Sequence, residues 1–458
     1  VSEDRSMATR DIASKANRIW LMAMLVSVSS MIMFHFLGAG WGLAFLAAEI
    51  ALISIVIAQA CDPFADAAQY IGETLKVPGS VRGATLDAIA SSMPELFCGI
   101  FFVVTALSSA GSDEQAAILA GSEGYGATIA TCAGSAVYNM ILIPAFCAIV
   151  ISYFRKDRPS IVVDDEVISR DGMWCVSCQI LMVLFLFQDH MYWWMACIFL
   201  TLYAVYVCQL YRDAQLWRLR IVAVKEIFTA QGTSCEIGAV TEQIRETGLK
   251  VSYNFVARAL EDLKAGIDNA DDEDDADSAG VLFGYFHVPL TSISAWVVIG
   301  LSSVVAAIAC YFLVDATRQI ATELSIPTFF VAVIVAAAAS SVPDTLLAIG
   351  AAMRGDDSGA VSNAFGSNIF DVCICLSIPL LVNSYLTGWN PVSLLQDGKP
   401  LPGLVGLRTL LVVLTVVTLA IMWHNRELTR KKAFILCGLY AVFICYAVLG
   451  SMGIGFGT

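Results

Sequence analysis

The chain has 458 residues, of which 58% are hydrophobic and only 14% charged, whereas a soluble globular domain carries about 25% charged residues. That composition excludes an ordinary soluble domain and marks an all-α membrane protein. A net charge of −14, from 26 basic and 40 acidic residues, also removes the clustered Lys and Arg that phosphates require, so nucleic acid is not an expected partner.

A bilayer core takes about 20 apolar residues per helix, and eleven runs of that kind occur, at 19–37, 41–62, 84–107, 127–151, 173–188, 191–211, 293–316, 327–351, 360–383, 404–423 and 432–452. The first follows a 1–18 tail bearing Arg5, Arg10, Lys15 and Arg18. It reads as a signal sequence or a retained signal-anchor, and the expectation is an accessory helix with its tail in the cytosol. The connections then alternate in charge. One side gathers Lys76, Arg82, Arg155, Lys156, Arg158, Arg170, Arg212, Arg218, Arg220, Lys225, Arg354, Arg426, Arg430, Lys431 and Lys432, while the other has Arg318, Lys399 and Arg408. Basic residues resist translocation, so the first side, with the long 212–290 connection, is expected to be cytoplasmic.

Within 212–290, residues 214–228 and 236–267 place apolar side chains at helical spacing (Ile237, Val240, Ile244, then Val251 and Phe255), which predicts short amphipathic helices. The acidic run Asp271 to Asp277 lacks the glycine and alternating ligands of a calcium loop and reads as a solvated spacer. Fourteen cysteines are scattered through apolar stretches, so no disulfide framework is expected. The pair Cys175-Val176-Ser177-Cys178 has a metal or redox spacing but no partner pair.

Two stretches echo each other. Ser91-Ser92-Met93-Pro94-Glu95 matches Ser340-Ser341-Val342-Pro343-Asp344, and one helix later Gly134-Ser135-Ala136-Val137-Tyr138-Asn139 matches Gly366-Ser367-Asn368-Ile369-Phe370-Asp371. From the second run onward there are five helices per half, and an odd number turns the second copy over in the membrane. The layout is therefore a ten-helix inverted repeat (5+5) plus one extra N-terminal helix, with 41–211 as the first repeat and 291–458 as the second.

An ionised carboxylate inside a bilayer needs a partner, and the helices of Glu95, Asp344 and Asp371 contain no basic residue. A mobile cation supplies that partner. Pro94 and Pro343 each remove a helical donor, freeing carbonyls near 90–91 and 339–340. Ser91, Ser92, Ser135, Ser340, Ser341 and Ser367 add hydroxyls, and Asn139 and Asn368 add amide oxygens. An all-oxygen set suits calcium, sodium or potassium, and the absence of His and Cys from the four motifs argues against zinc or copper. Small residues such as Gly134, Ala136, Ala364 and Gly366 allow close helix crossings. Asp62 and Asp315 are expected to reach water at segment ends, and Glu49 lies mid-helix without an echo.

These motifs, together with Gly83-Ala84-Thr85 and Ala360-Val361-Ser362-Asn363, resemble the cation/calcium exchanger superfamily, and within it the potassium-dependent sodium/calcium exchangers. Asp at 344, Ala at 136 and Asp at 371 point to that branch. The resemblance implies the sodium/calcium exchanger fold, a secondary active transporter rather than an enzyme, and no cofactor. It further implies that Glu95 and Asp344 coordinate calcium or sodium while Asp371 supports potassium. Charge counting agrees, because three carboxylates sum to −3, which one Ca²⁺ and one K⁺ neutralise. Ser340, Ala339 and Asp87 depart from the family pattern, as does a longer connection at 108–126. The 212–290 loop is too short for the paired calcium-sensing domains of the large exchangers.

The expected function is exchange of sodium for calcium, with potassium accompanying calcium, by alternating access at a midplane carboxylate site in the plasma membrane. Expected partners are the bilayer and the transported cations, with a homodimer as an allowed assembly. Alternatives are a calcium/proton antiporter, kept open by Asp87, and a potassium-independent sodium/calcium exchanger. An acidic channel would need no counter-ion. An intramembrane hydrolase lacks a His near the motifs.

Overall fold

The computed structural model describes residues 2–75, 85–86, 88–111, 113–155, 159–162, 167–232, 236–251, 253–264, 278–282, 284–355, 357–396 and 398–452. Asp87, Gly83, Ala84 and the acidic run at 271–277 lie outside the described residues, as do Lys76, Arg82, Lys156 and Arg158.

The first half contains α1 (Ser2–Leu37), α2 (Gly42–Thr74), α3 (Ala88–Ser109), α4 (Glu114–Phe154), α5 (Met173–Leu186) and α6 (Trp193–Gln231). Helices α7 (Ile237–Glu246) and α8 (Tyr253–Lys264) and a hairpin pairing Ser278–Val281 with Phe286–Pro289 follow. The second half contains α9 (Ser292–Leu324), then α10 (Thr328–Val331), α11 (Ala337–Ser340) and α12 (Val342–Arg354) as pieces of one span. It continues with α13 (Asp357–Phe370) and α14 (Ser377–Leu386) as pieces of the next span, then α15 (Leu404–Trp423) and α16 (Arg430–Ser451).

Ten of the described helical segments are long and apolar enough to cross a bilayer. The remaining predicted run, 173–188, is α5, which has 14 residues but continues a π-helical turn at Val167–Gly172. Together the two reach about 30 Å at 1.5 Å per residue. The chain is an integral multi-pass membrane protein with two inverted five-helix repeats and one extra N-terminal helix, α1, whose spanning part leans on α2 and is otherwise almost wholly exposed.

Hydropathy underestimates several helices, because a helix need not stop at the membrane boundary. Helix α2 has 33 residues and α9 also has 33, about 50 Å each. Most of the expected 108–126 connection is helical: α4 starts at Glu114, where the Asp113 side chain accepts the Gln115 amide at 3.1 Å as an N-cap.

The connections sort onto two faces. On the basic face, Ile161–Val162 pairs with Glu427–Leu428, and Arg430 donates to the Tyr153 hydroxyl at 2.6 Å. On the opposite face, His190–Met191 pairs with Val392–Ser393, and the Leu394 amide donates to the Asp189 carbonyl at 2.8 Å. The predicted amphipathic helices are present. Val240, Ile244, Val251, Val256 and Leu260 close over Ile221 and Val224 on the part of α6 that extends beyond the predicted span.

The two proline motifs fold differently. Pro343 opens α12 after a break at Ser341, and a π-turn at Ala332–Ala336 precedes it. Pro94 lies inside α3 without interrupting it. A proline removes one donor, and in the first repeat the bonds on either side carry the helix through, so the helix is broken beside the proline only in the second repeat. A further π-turn, Asp371–Cys375, separates α13 from α14.

Candidate cation site

The four echoed motifs meet at the centre of the bundle, on α3, α4, the α11–α12 break and α13. All eleven residues singled out from the sequence (Ser91, Ser92, Glu95, Ser135, Asn139, Ser340, Ser341, Asp344, Ser367, Asn368 and Asp371) are fully buried. Close approach of the elements depends on Gly134, where an added β-carbon would collide with the Val333 carbonyl in the π-turn. Only glycine lets α4 reach that backbone.

Ser135 sits at the junction of the repeats. Its Oγ lies 3.2 Å from Glu95 Oε1, 2.9 Å from Asp371 Oδ2 and 2.9 Å from Ser341 Oγ. Ser341 Oγ lies 3.1 Å from Glu95 Oε1. A hydroxyl has one proton to donate, so a consistent pattern has Ser341 donating to Glu95 and Ser135 to Asp371. Asp344 is held on both oxygens, by Ser367 Oγ at 2.7 Å and Asn139 Nδ2 at 3.4 Å. Ser91 Oγ lies 3.3 Å from Ser367 Oγ, and Asn368 Nδ2 donates to the Ala136 carbonyl at 3.1 Å. Ser340 Oγ donates to the Ala337 carbonyl at 3.2 Å and lies against Glu95. Most of these bonds cross from one repeat to the other, so each half completes the other's polar shell.

The donors around the three carboxylates are hydroxyls and one amide; no positively charged side chain donates to them among the described residues. Glu95 Oε2, Asp371 Oδ1, Asn139 Oδ1, Asn368 Oδ1 and Ser92 Oγ have no protein partner despite burial. Buried oxygens left this way cost about 1–3 kcal/mol each, and here each can act as an electron-pair donor. Among the described residues no three His, Cys, Asp or Glu side chains form a ready-made metal cluster; Ser135, Ser341 and Ser367 lie between the acids. A cation held here would depend on hydroxyl and amide oxygens as well as carboxylates, as a hard ion allows.

Several neighbours escape sequence reasoning. Cys310 Sγ donates to the Pro94 carbonyl and Cys375 Sγ to the Ser92 carbonyl, each at 3.6 Å, so thiols satisfy backbone beside the proline. The Tyr125 hydroxyl donates to the Leu376 carbonyl at 3.3 Å, just after the Asp371–Cys375 π-turn. These contacts have no local sequence signal, because each joins residues more than 200 positions apart. Asp62 and Asp315, expected at segment ends, lie within α2 and α9. Asp62 accepts from Gln59 at 3.5 Å and Asp315 from Gln319 at 2.8 Å. Half-buried Glu49 stands near enough to the exposed Asp315 for their charges to repel, away from the central cluster.

Among known proteins, one stretch of the chain is 28% identical over 139 residues to sodium/potassium/calcium exchanger 2 of Gallus gallus, covering 30% of this chain and 21% of that protein. Another comparison gives 30% identity over 168 residues with sodium/potassium/calcium exchanger 4 of Mus musculus, covering 36% and 25%. The matched stretches thus span about a fifth to a quarter of these relatives' length. The fold is similar to that of the H⁺/Ca²⁺ exchanger CAX, with a TM-score of 0.55 at 13% identity over 95% of both chains. A family profile described as "Sodium/calcium exchanger protein" matches residues 45–212 and 294–449, well over half of the chain, and the chain belongs to that family.

Proposed function

We propose that this protein is a secondary active cation antiporter that exchanges sodium for calcium, with potassium transported together with calcium, by alternating access at the central carboxylate site. The observation that carries the reading is the burial of Glu95, Asp344 and Asp371 at one junction with no positively charged donor and with oxygens of Glu95, Asp371, Asn139 and Ser92 left for an ion. In this reading Glu95 and Asp344 hold calcium or sodium, Asp371 holds potassium, and the serine hydroxyls and asparagine oxygens complete the coordination. Sodium and the calcium–potassium set compete for the same carboxylates. A bare −3 site crosses at high cost, so only a loaded site reorients. That competition couples the two fluxes.

The names of the curated relatives support the potassium-dependent form over the potassium-independent one. The basic face is cytoplasmic in this reading, as the charge asymmetry of the connections requires, and the membrane is the plasma membrane. The test is calcium uptake into sodium-loaded proteoliposomes, with external potassium present or replaced by choline at constant pH. Uptake that needs both sodium and potassium is the expected result. Uptake indifferent to potassium removes potassium co-transport, and uptake driven only by a pH gradient replaces sodium with protons as the counter-ion.

A further inference from the structure

We infer that α5 is a splint for the helix carrying Ser367, Asn368 and Asp371, and that Asp171, Cys175 and Cys178 are positioning residues for the cation site; this rests on the reading of the site just given. Three rungs join the two elements. Ser362 Oγ donates to Asp171 Oδ2 at 2.9 Å, Asn368 Nδ2 reaches Cys175 Sγ at 3.9 Å, and Cys373 Sγ lies 3.7 Å from Cys178 Sγ. Positions 171, 175 and 178 are four and three residues apart, so they line one helical face. Their partners at 362, 368 and 373 ascend in the same order, so the seam runs between parallel segments and follows α13 through its π-turn.

The first rung is anchored by charge. Asp171 is fully buried and takes Arg170 Nε at 2.7 Å and a second guanidinium nitrogen at 3.1 Å, with the Tyr206 hydroxyl at 3.5 Å. Beside it, Arg155 at the end of α4 binds both oxygens of Asp357, at 2.6 and 3.2 Å, where α13 begins. The middle rung is tied to α4 as well, since Asn368 also donates to the Ala136 carbonyl, one residue from Ser135.

The need for a splint follows from the backbone. In the π-turn the Leu376 amide reaches back five residues to the Asp371 carbonyl at 3.1 Å, and a bulge of this kind has less self-support than regular helix. A slip of one residue rotates a helical side chain by about 100°, which would carry Asp371 away from Ser135. The rungs at Asn368 and Cys373 bracket the acid. By the repeat echo, Ser362, Asn368 and Cys373 correspond to Ala130, Ala136 and Ile141 in the first repeat, where the acid is replaced by Asn139. The polar seam accompanies the additional acid rather than the fold, and it accounts for the Cys-x-x-Cys spacing without a metal or a disulfide.

The test uses purified, reconstituted full-length chain carrying Ser362→Ala, Ser362→Thr or Cys178→Val, with potassium and calcium half-saturation, maximal rate and thermal midpoint all measured. Ser362→Ala and Cys178→Val should raise half-saturating potassium by roughly threefold to tenfold, the scale of one lost hydrogen bond, with the maximal rate within about twofold. Ser362→Thr should restore it, and in an Asp371→Asn background, where the potassium response is lost, Ser362→Ala should leave calcium half-saturation unchanged, as expected if it acts through Asp371. Unchanged half-saturation for both ions with a lowered midpoint would overturn the proposal and make the seam purely structural. If the wild type carries calcium without potassium dependence, calcium half-saturation decides instead. A wild type that carries no calcium overturns the site reading, and the positioning role with it.

Discussion

Glu95 and Asp371 each keep one oxygen without a protein partner, whereas both oxygens of Asp344 are hydrogen-bonded. In the proposed function Glu95 and Asp344 hold calcium or sodium and Asp371 holds potassium, and single substitutions separate these tasks. Glu95→Gln preserves volume but takes one negative charge from the site and places an amide donor where a cation would sit. It should abolish sodium-driven calcium flux while the purified protein stays folded and monodisperse; Asp344→Asn should do the same, and normal flux in either would refute their assignment. Asp371→Asn lowers the charge to −2, matching calcium alone, so calcium transport should persist with its potassium response lost. Measuring uptake against potassium concentration checks this directly. At this scale the sequence was highly informative, since an acid after a proline in mid-membrane, repeated with a Gly-Ser helix behind it, has few other uses. The thiols of Cys310 and Cys375 and the buried Asp171 were not legible. Cysteine in an apolar run looks like packing, and Asp171 looks like a loop acid until folding brings Ser362 to it.

Among the elements, the positions of the spans could be read from hydropathy but their lengths could not. Apolar runs report contact with lipid and protein interior, while α2, α4, α6 and α9 continue past that region with polar residues that still favour helix. The π-turns at 332–336 and 371–375 are tertiary outcomes: nothing in Ala-Val-Ile-Val-Ala distinguishes a bulge from a regular turn. Gly134 sets the closest helix approach at the site. Because its neighbour is the backbone carbonyl of Val333, Gly134→Ala cannot be relieved by a rotamer change and should destabilise by about 1–3 kcal/mol. A lowered thermal midpoint is the readout. Gly300→Ala, on the exposed side of α9 with no atom within 4 Å of the added carbon, should leave the midpoint unchanged.

For the whole molecule, the odd number of helices per repeat and the segregation of basic connections foretold how the chain threads. The structure agrees where described connections from distant parts of the chain meet, as at Ile161 with Leu428 on one face and Met191 with Val392 on the other. The long pairing of α2 with α9 lies outside the polar junction formed by α3, α4, α12 and α13; in the proposed alternating-access cycle the two would slide against each other. The helices α7 and α8 form a separate apolar cluster with α6. Val240→Asp would bury an unpaired charge there, so hydrogen exchange across 237–264 should rise while calcium flux is retained.

Whether the carboxylate junction binds the transported ion is tested without any assumption about gradients by equilibrium binding of calcium to the purified protein in detergent. With potassium present and sodium absent, the wild type should bind calcium saturably at one site per chain, sodium should displace it, and Glu95→Gln should weaken it by at least about a hundredfold, the cost of a lost charged ligand on the order of 3 kcal/mol. Calcium binding in Glu95→Gln and Asp344→Asn with the affinity of the wild type would move the ion site elsewhere in the molecule.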